Sequence, residues 1–133
     1  MIKVTDGDTV NILTPENRTI KIRMYGIDAP EKKQAFGNAS RKNLADLCAA
    51  QNATVQENGR DRYARVVGVV TCNGVEANRK QVQDGYAWAY MQYGGKEYAS
   101  DEADARAAER GLWHDANPTA PWEWRKRPKE DKK

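Results

Sequence analysis

The opening part of the chain alternates apolar and polar positions with the period of two that a half-buried β-strand shows. Residues 9–13 and 19–25 both alternate, and residues 14–18 between them carry the Pro and Asn of a turn. A short apolar segment at residues 2–4 precedes an Asp-Gly turn. The pattern therefore predicts a three-stranded meander that ends near Gly26.

The rest of the chain mixes helical and strand patterns. Apolar residues recur at i, i+3 and i+4 in one segment, a β-branched run leads into an Asn-Gly hairpin, and glycines follow two further helical segments. We predict helices over residues 38–50, 76–84 and 100–110, and strands over residues 53–56 and 63–71. Five strands, with helices after the third and the fifth, predict an α+β fold, a five-stranded Greek-key barrel like the OB-fold with about three helices.

The last helix carries a start signal of its own. Ser100 precedes acidic residues at Asp101, Glu102 and Asp104. A serine in that position is typical of an N-cap, and acidic residues in the first turn interact favourably with the helix dipole. We therefore expect Ser100 to cap this helix.

Length and charge indicate one domain with a basic end. The chain has 133 residues and a formal net charge of +3, of which the last nine residues contribute six basic and two acidic side chains. We expect a domain over residues 1–124 and a basic, disordered tail over residues 125–133. Such a tail is either a solvated chain end or an electrostatic tether for polyanions. The remaining body is slightly acidic, so phosphate recognition there would depend on a few placed arginines.

Several classes of protein are disfavoured by what the sequence lacks. No run approaches the roughly 20 apolar residues of a membrane span, and the first residues do not resemble a signal peptide. One histidine, His114, and two cysteines without metal-binding spacing argue against a zinc site and against a Ser-His-Asp hydrolase. Cys48 and Cys72 are either two small buried residues or a disulfide, and we favour the disulfide.

Three carboxylates stand at turns or at strand ends. Asp8 opens a strand after the Asp-Gly turn, and Asp28 and Glu31 follow another strand around a proline. Oxygen ligands of this kind suit a hard cation such as Ca²⁺, with water and phosphate filling the other positions. The simpler interpretation is that these aspartates only form turns.

Two arginines lie in otherwise apolar strands, Arg23 and Arg65. Alternate strand residues can simply point to solvent. They could instead converge on a phosphate, because a guanidinium matches two of its oxygens. A carboxylate that activates water beside them would complete a phosphodiesterase site.

These residues occur in three ordered motifs: Asp-Gly-Asp-Thr ending at Thr9, Arg23 with Asp28-Ala-Pro-Glu31 after it, and Asp61-Arg-Tyr-Ala-Arg65. In order and spacing they resemble the thermonuclease, or staphylococcal nuclease-like, family. The resemblance extends over residues 2–113.

The resemblance implies a role for each matching residue. Asp8, Asp28 and the backbone carbonyl of Ala29 would hold Ca²⁺, Glu31 would be the general base, Arg23 and Arg65 would bind phosphate and stabilise the transition state, and Tyr63, Tyr90 and Tyr93 would line the nucleotide pocket. It implies a calcium-dependent endonuclease that hydrolyses DNA and RNA with little sequence specificity and leaves 3′-phosphate and 5′-hydroxyl ends. Separately, we expect a monomer.

Two alternatives to a nuclease remain. The first is a barrel of the same family that has lost catalysis and only binds nucleic acid. Against it, the chain has all five polar residues of the motifs: Asp8, Arg23, Asp28, Glu31 and Arg65. The second is an unrelated single-strand-binding barrel, which would not need the ordered carboxylates. Stripping calcium separates these alternatives, because a binding module should be indifferent to it. A disulfide would favour a secreted or periplasmic setting over the cytoplasm.

Overall fold

The computed structural model describes residues 2–61 and 65–126 of the chain and has an α+β architecture. Three 3₁₀ turns, at Met91–Tyr93, Gly95–Tyr98 and Gly111–His114, connect its later elements. The strands are β1 Ile2–Asp6, β2 Thr9–Leu13, β3 Thr19–Met24, β4 Ile27–Asp28, β5 Ala53–Arg60, β6 Val66–Cys72, β7 Val75–Glu76 and β8 Trp88–Ala89, and the helices are α1 Gly37–Cys48, α2 Ala77–Gln83, α3 Ala99–Ala107 and α4 Pro121–Trp124.

The five longer strands form one sheet in the order β1-β2-β3-β6-β5, and β7 pairs with β6. The first three make the predicted antiparallel meander, in which Thr9 lies opposite Arg23 at the end of the β2–β3 pair away from the turn. β3 then pairs in parallel with β6, so that Ile22 lies beside Val66. A meander followed by a parallel partner is the strand arrangement of the OB-fold barrel. The fold class predicted from the sequence is therefore confirmed.

The main core lies between this sheet and helices α1 and α2. Burial alternates along β6, where Val66 and Val70 face inward, as the two-residue period of a strand requires. Leu44 of α1 and Val82 of α2 are fully buried against them. A smaller cluster around Trp88 and four other buried residues packs the C-terminal third.

A disulfide joins the two cysteines, as the sequence analysis favoured. Cys48 is the last residue of α1 and Cys72 the last residue of β6, and both are fully buried. The bond therefore ties the first helix to β6, the strand that pairs with β3, β5 and β7.

The structure departs from the predicted elements at a few places. Ser100 is not an N-cap: α3 already starts at Ala99, and its N-cap residue is Tyr98, which makes no side-chain cap bond. The reason is that the 3₁₀ turn Gly95–Tyr98 leads directly into the helix. The two-residue strands β4 and β8 were not predicted, and β5 extends four residues further than expected. Tyr63 and residues 127–133 of the predicted tail lie outside the described part of the chain.

Within the described ranges, no helix has the length and apolar character needed to cross a membrane.

Candidate active site

The predicted site carboxylates meet at one end of the sheet, around the Arg23 guanidinium. Arg23 Nη2 lies 3.5 Å from Asp8 Oδ2 and 3.4 Å from Asp28 Oδ1. Its Nη1 donates to the Met24 carbonyl oxygen at 2.9 Å, which fixes the side chain along its own strand. Two carboxylates from separate elements thus share one arginine nitrogen.

A tight turn between β1 and β2 positions Asp8. A Cβ atom on Gly7 would come within 1.9 Å of the Ser40 hydroxyl oxygen, so only glycine lets the turn approach α1 this closely. The buried Gln81 amide donates to the Gly7 carbonyl oxygen at 2.8 Å. The Asp8 carboxylate in turn accepts the Ala29 N–H at 2.8 Å and the Thr9 hydroxyl at 3.0 Å.

A short antiparallel pair positions Asp28. Asp28 belongs to β4 and lies opposite Trp88 of β8. Its side chain is only 1% exposed. Since β8 leads directly into Tyr90, this pairing connects the carboxylate pair to the predicted nucleotide pocket.

Burial and charge perturb the two aspartates that neighbour Asp8. The pKa of Asp28 is raised to about 6, first by desolvation on burial and then by the Asp8 charge, against a hydrogen bond from Arg125 that lowers it. The pKa of Asp6 is also raised, first by burial and then by Asp8. The site therefore concentrates negative charge that favours a nearby cation.

In the structure the guanidinium of Arg125, from the C-terminal end, supplies this positive charge. Arg125 Nη2 donates to Asp28 Oδ2 at 2.7 Å and Nη1 donates to Asp28 Oδ1 at 3.1 Å, a bidentate pair. Nη1 also lies 3.3 Å from Glu31 Oε1. The hydrogen bond to Asp28 is the main reason why the pKa of Arg125 is raised.

The donor set around Asp28 fits a hard divalent cation. Asp8 and Asp28 offer carboxylate oxygens, and Ala29 and Pro30, between Asp28 and Glu31, have backbone carbonyl oxygens. Ca²⁺ prefers oxygen ligands of both kinds. In residues 2–61 and 65–126, no three His, Cys, Asp or Glu side chains are grouped closely enough to hold a metal by themselves. A bound calcium would therefore take its remaining ligands from backbone, water or a substrate phosphate.

Glu31 is held at the edge of the site by its own loop. The Gln34 side chain accepts the Glu31 N–H at 3.0 Å, and its amide nitrogen donates to the Thr119 carbonyl oxygen. Gln34 is buried, whereas Glu31 is partly exposed. The carboxylate of Glu31 can thus face solvent and substrate while its backbone stays fixed.

Arg65 lies beside the meander, where its neighbour Val66 pairs with β3. Its Nε donates to Asp61 Oδ2 at 2.8 Å, and its backbone N–H donates to Asp61 Oδ1 at 3.1 Å. The structure thus joins Asp8, Arg23 and Asp28 through direct contacts and links Glu31 to Asp28 through Arg125, while Arg65 is held by its bonds to Asp61.

An aromatic group adjoins the carboxylates. Tyr90 stacks on Trp122 with ring centroids 5.2 Å apart and planes 5° apart, and Tyr93 meets Tyr90 edge to face at 4.8 Å. Tyr93 is 63% exposed. Tyr63, the third predicted pocket residue, lies outside the described residues.

The sequence analysis missed three residues that contact the site: Gln34, Trp122 and Arg125. Gln34 sits in a loop without periodicity. Trp122 stands in a Pro-Trp-Glu-Trp segment with nothing local to indicate its tyrosine partner. Arg125 was assigned to the tail on charge alone, and nothing local marks its pairing with Asp28, 97 positions away.

The sequence is similar to nucleases and endonucleases over most of the chain. The family model described as "Staphylococcal nuclease homologue" matches residues 21–115. The chain is 43% identical over 130 residues to an uncharacterized endonuclease of Haemophilus influenzae, which covers 97% of this chain and 73% of that protein. It is 40% identical over 138 residues to a micrococcal nuclease of Shigella flexneri, with 95% of this chain and 79% of the relative covered. An uncharacterized endonuclease of Escherichia coli is 40% identical over 129 residues, which cover 96% of this chain and 84% of that protein.

Proposed function

The chain belongs to the staphylococcal nuclease family, and from that premise we propose that it is a calcium-dependent endonuclease that hydrolyses DNA and RNA with little sequence specificity. The observation that carries the proposal is the convergence of Asp8 and Asp28 on one Arg23 nitrogen, with Glu31 at the edge of the same cluster. Its products would carry 3′-phosphate and 5′-hydroxyl ends.

Calcium would be held by Asp8, Asp28 and the backbone carbonyl of Ala29. The position of the buried Asp28 carboxylate beside Asp8 supports this assignment, because two neighbouring carboxylates favour a bound cation, and the Asp8 charge contributes to the raised pKa of Asp28. The ion would polarise the scissile phosphate as a Lewis acid. The hydrogen bond from the Ala29 N–H to Asp8 would keep the two ligand segments together.

Side chains of the protein would accept the proton and stabilise the developing negative charge. Glu31 would accept a proton from the attacking water, which forms the new P–O bond as the bond to the 5′ oxygen breaks. Arg23 and Arg65 would donate to phosphate oxygens as negative charge builds up on them, and losing one such donor costs on the order of 10²–10³ in rate. Contacts to phosphate and sugar position a nucleic acid without reading its sequence.

The aromatic group supports a preference for unpaired bases. Tyr90 follows the strand that pairs with Asp28, Tyr93 is largely exposed beside it, and stacking on such a ring requires a base that has left its own helix. Single-stranded and A/T-rich substrates should therefore be cleaved fastest. The buried disulfide supports a secreted or periplasmic setting, and we expect the enzyme to be a monomer.

The test is cleavage of single-stranded DNA and RNA with calcium, with chelator, and with the variant Glu31→Gln. We expect calcium-dependent cleavage that collapses in the variant, and mass spectrometry of the fragments should find 3′-phosphate ends. Glu16→Gln is the matched control, because Glu16 lies beyond Leu13 and Thr19, at the far end of the β2–β3 hairpin from Arg23.

Two results would count against the proposal. Folded protein that binds single-stranded DNA equally with and without calcium, and cleaves nothing, would make this chain a binding module. Cleavage that survives in Glu31→Gln would remove Glu31 from its role as general base.

A further inference from the structure

The C-terminal strap, which we define as residues 120–126, lies beyond residues 21–115 that match the family model. It consists of α4 and the turn after it, and the Arg125 N–H donates to the Pro121 carbonyl oxygen at 3.0 Å. Two of its side chains contact the active site. The family model ends before this strap, at residue 115, while the Haemophilus influenzae relative aligns over 97% of the chain and therefore across the strap as well.

The first contact puts a cation on the calcium carboxylates. Arg125 binds both oxygens of Asp28 and one oxygen of Glu31. A guanidinium bound to both Asp28 oxygens takes one lone pair of each and places a positive charge where a metal ion on that side of the carboxylate would lie. Arg125 and calcium therefore compete for the same atoms.

The second contact puts a flat ring on the predicted base-stacking surface. The Trp122 indole lies parallel to the Tyr90 ring, with 5° between their planes. It also touches Trp88 edge to face, with ring centroids 5.4 Å apart. An indole in this position covers the ring face that an unpaired base would use.

From these two contacts we propose that the C-terminal strap is an autoinhibitory segment: Arg125 takes the place of calcium and Trp122 takes the place of a nucleobase. Trp122 lies in α4 and Arg125 in the turn directly after it, so one short segment supplies both side chains. Calcium binding and strap docking then exclude each other, so calcium releases the strap and exposes Tyr90 for substrate. This inference rests on the calcium site in the proposed function.

Calorimetric titration with calcium measures the competition without using activity. We expect Arg125→Gln to bind calcium at least about fivefold more tightly than the wild type, the lower end of ordinary coupling between two sites. Arg125→Lys keeps the charge but loses the bidentate fork, so it should bind calcium with an intermediate affinity. Lys126→Gln is the charge-matched control: Lys126 is 73% exposed and pairs with Glu123, so calcium affinity should stay at the wild-type value.

Hydrogen exchange gives a second readout. Calcium should speed amide exchange in residues 120–126 while it slows exchange around Asp8 and Asp28. Asp8→Asn should remove this response, since it loses a calcium ligand but keeps both strap contacts.

The outcomes separate the two proposals. Equal calcium affinity in wild type and Arg125→Gln, or a strap that exchanges more slowly with calcium, would overturn autoinhibition alone. Calcium binding to neither folded protein would overturn the calcium site and, with it, this inference.

Discussion

Removing the Cys48–Cys72 disulfide should cost this domain a large part of its stability. The bond spans 24 positions, and a cross-link of that length lowers the entropy of the unfolded chain by an amount equivalent to about 3.5 kcal/mol at 25 °C. For a chain of 133 residues, that loss lowers the midpoint of thermal unfolding by about 12 °C. Both sulfur atoms are fully buried, so replacing them with smaller side chains adds a packing loss to this figure.

The assay is urea unfolding followed by tryptophan fluorescence for Cys48→Ala, Cys72→Ala and the double variant. Each single variant already abolishes the cross-link, so we expect all three to lose nearly the same free energy of unfolding. The urea dependence should steepen in all of them, because an unlinked unfolded chain exposes more surface. Reductant should destabilise the wild type and leave the double variant unchanged.

Additive losses in the two single variants would refute this reasoning, because additivity indicates independent packing rather than one shared bond. A total loss below about 1 kcal/mol would refute it as well, since the chain-entropy contribution alone exceeds that value.

Three further predictions concern single residues of the site and its supports. Asp28→Asn should abolish calcium binding yet stabilise the calcium-free protein at pH 7.5 by up to about 3 kcal/mol, because a pKa of about 6 means that the folded state disfavours the ionised carboxylate. The free energy of unfolding of the wild type should fall as the pH rises from about 4 through 6, because Asp28 must then ionise in the folded state, whereas that of the variant should not change for this reason. Urea unfolding in chelator at pH 4.5 and 7.5 can check this. Asn78→Ala should lower the free energy of unfolding by about 3 kcal/mol, since the side chain of buried Asn78 forms hydrogen bonds with the backbone of Val70, Tyr25 and Gly68. A changed calcium affinity in this variant, measured well below its unfolding temperature, would contradict a purely structural role. Gln34→Ala should lower kcat about tenfold and leave calcium affinity unchanged, because Gln34 positions the Glu31 backbone; a steady-state comparison in which only KM rises would argue against positioning.

Local pattern was sufficient to predict the larger elements. The strand β6 and the meander β1-β2-β3 were predicted from apolar residues at every second position, and burial alternates along β6 accordingly. The two-residue strands β4 and β8 carry no such period. They exist because Asp28 and Trp88 meet in the folded chain, and that meeting depends on everything folded between them.

Composition was a poor guide at the C-terminal end. A basic run is usually solvated, and Lys126 follows that expectation with 73% exposure. Arg125 does not, because a buried carboxylate offers it two hydrogen bonds that water cannot match in the same geometry. In the same way, helix-capping statistics favoured Ser100, but a preceding 3₁₀ turn had already set the start of α3. In both cases a tertiary or neighbouring constraint outweighed a local preference.

The parallel pairing of β3 with β6 also affects when this protein becomes active during folding. Ile22 and Val66 are 44 positions apart, and Asp28 and Trp88 are 60 positions apart. Contacts that close such long loops form late and slowly, after local hairpins and helices. The Asp8 turn and Arg23 can form with the first hairpin, but Asp28 gains its strand partner only after Trp88 has emerged and docked. A chain still being synthesised therefore lacks a complete site, and hydrolytic capacity arises only once the whole domain has closed.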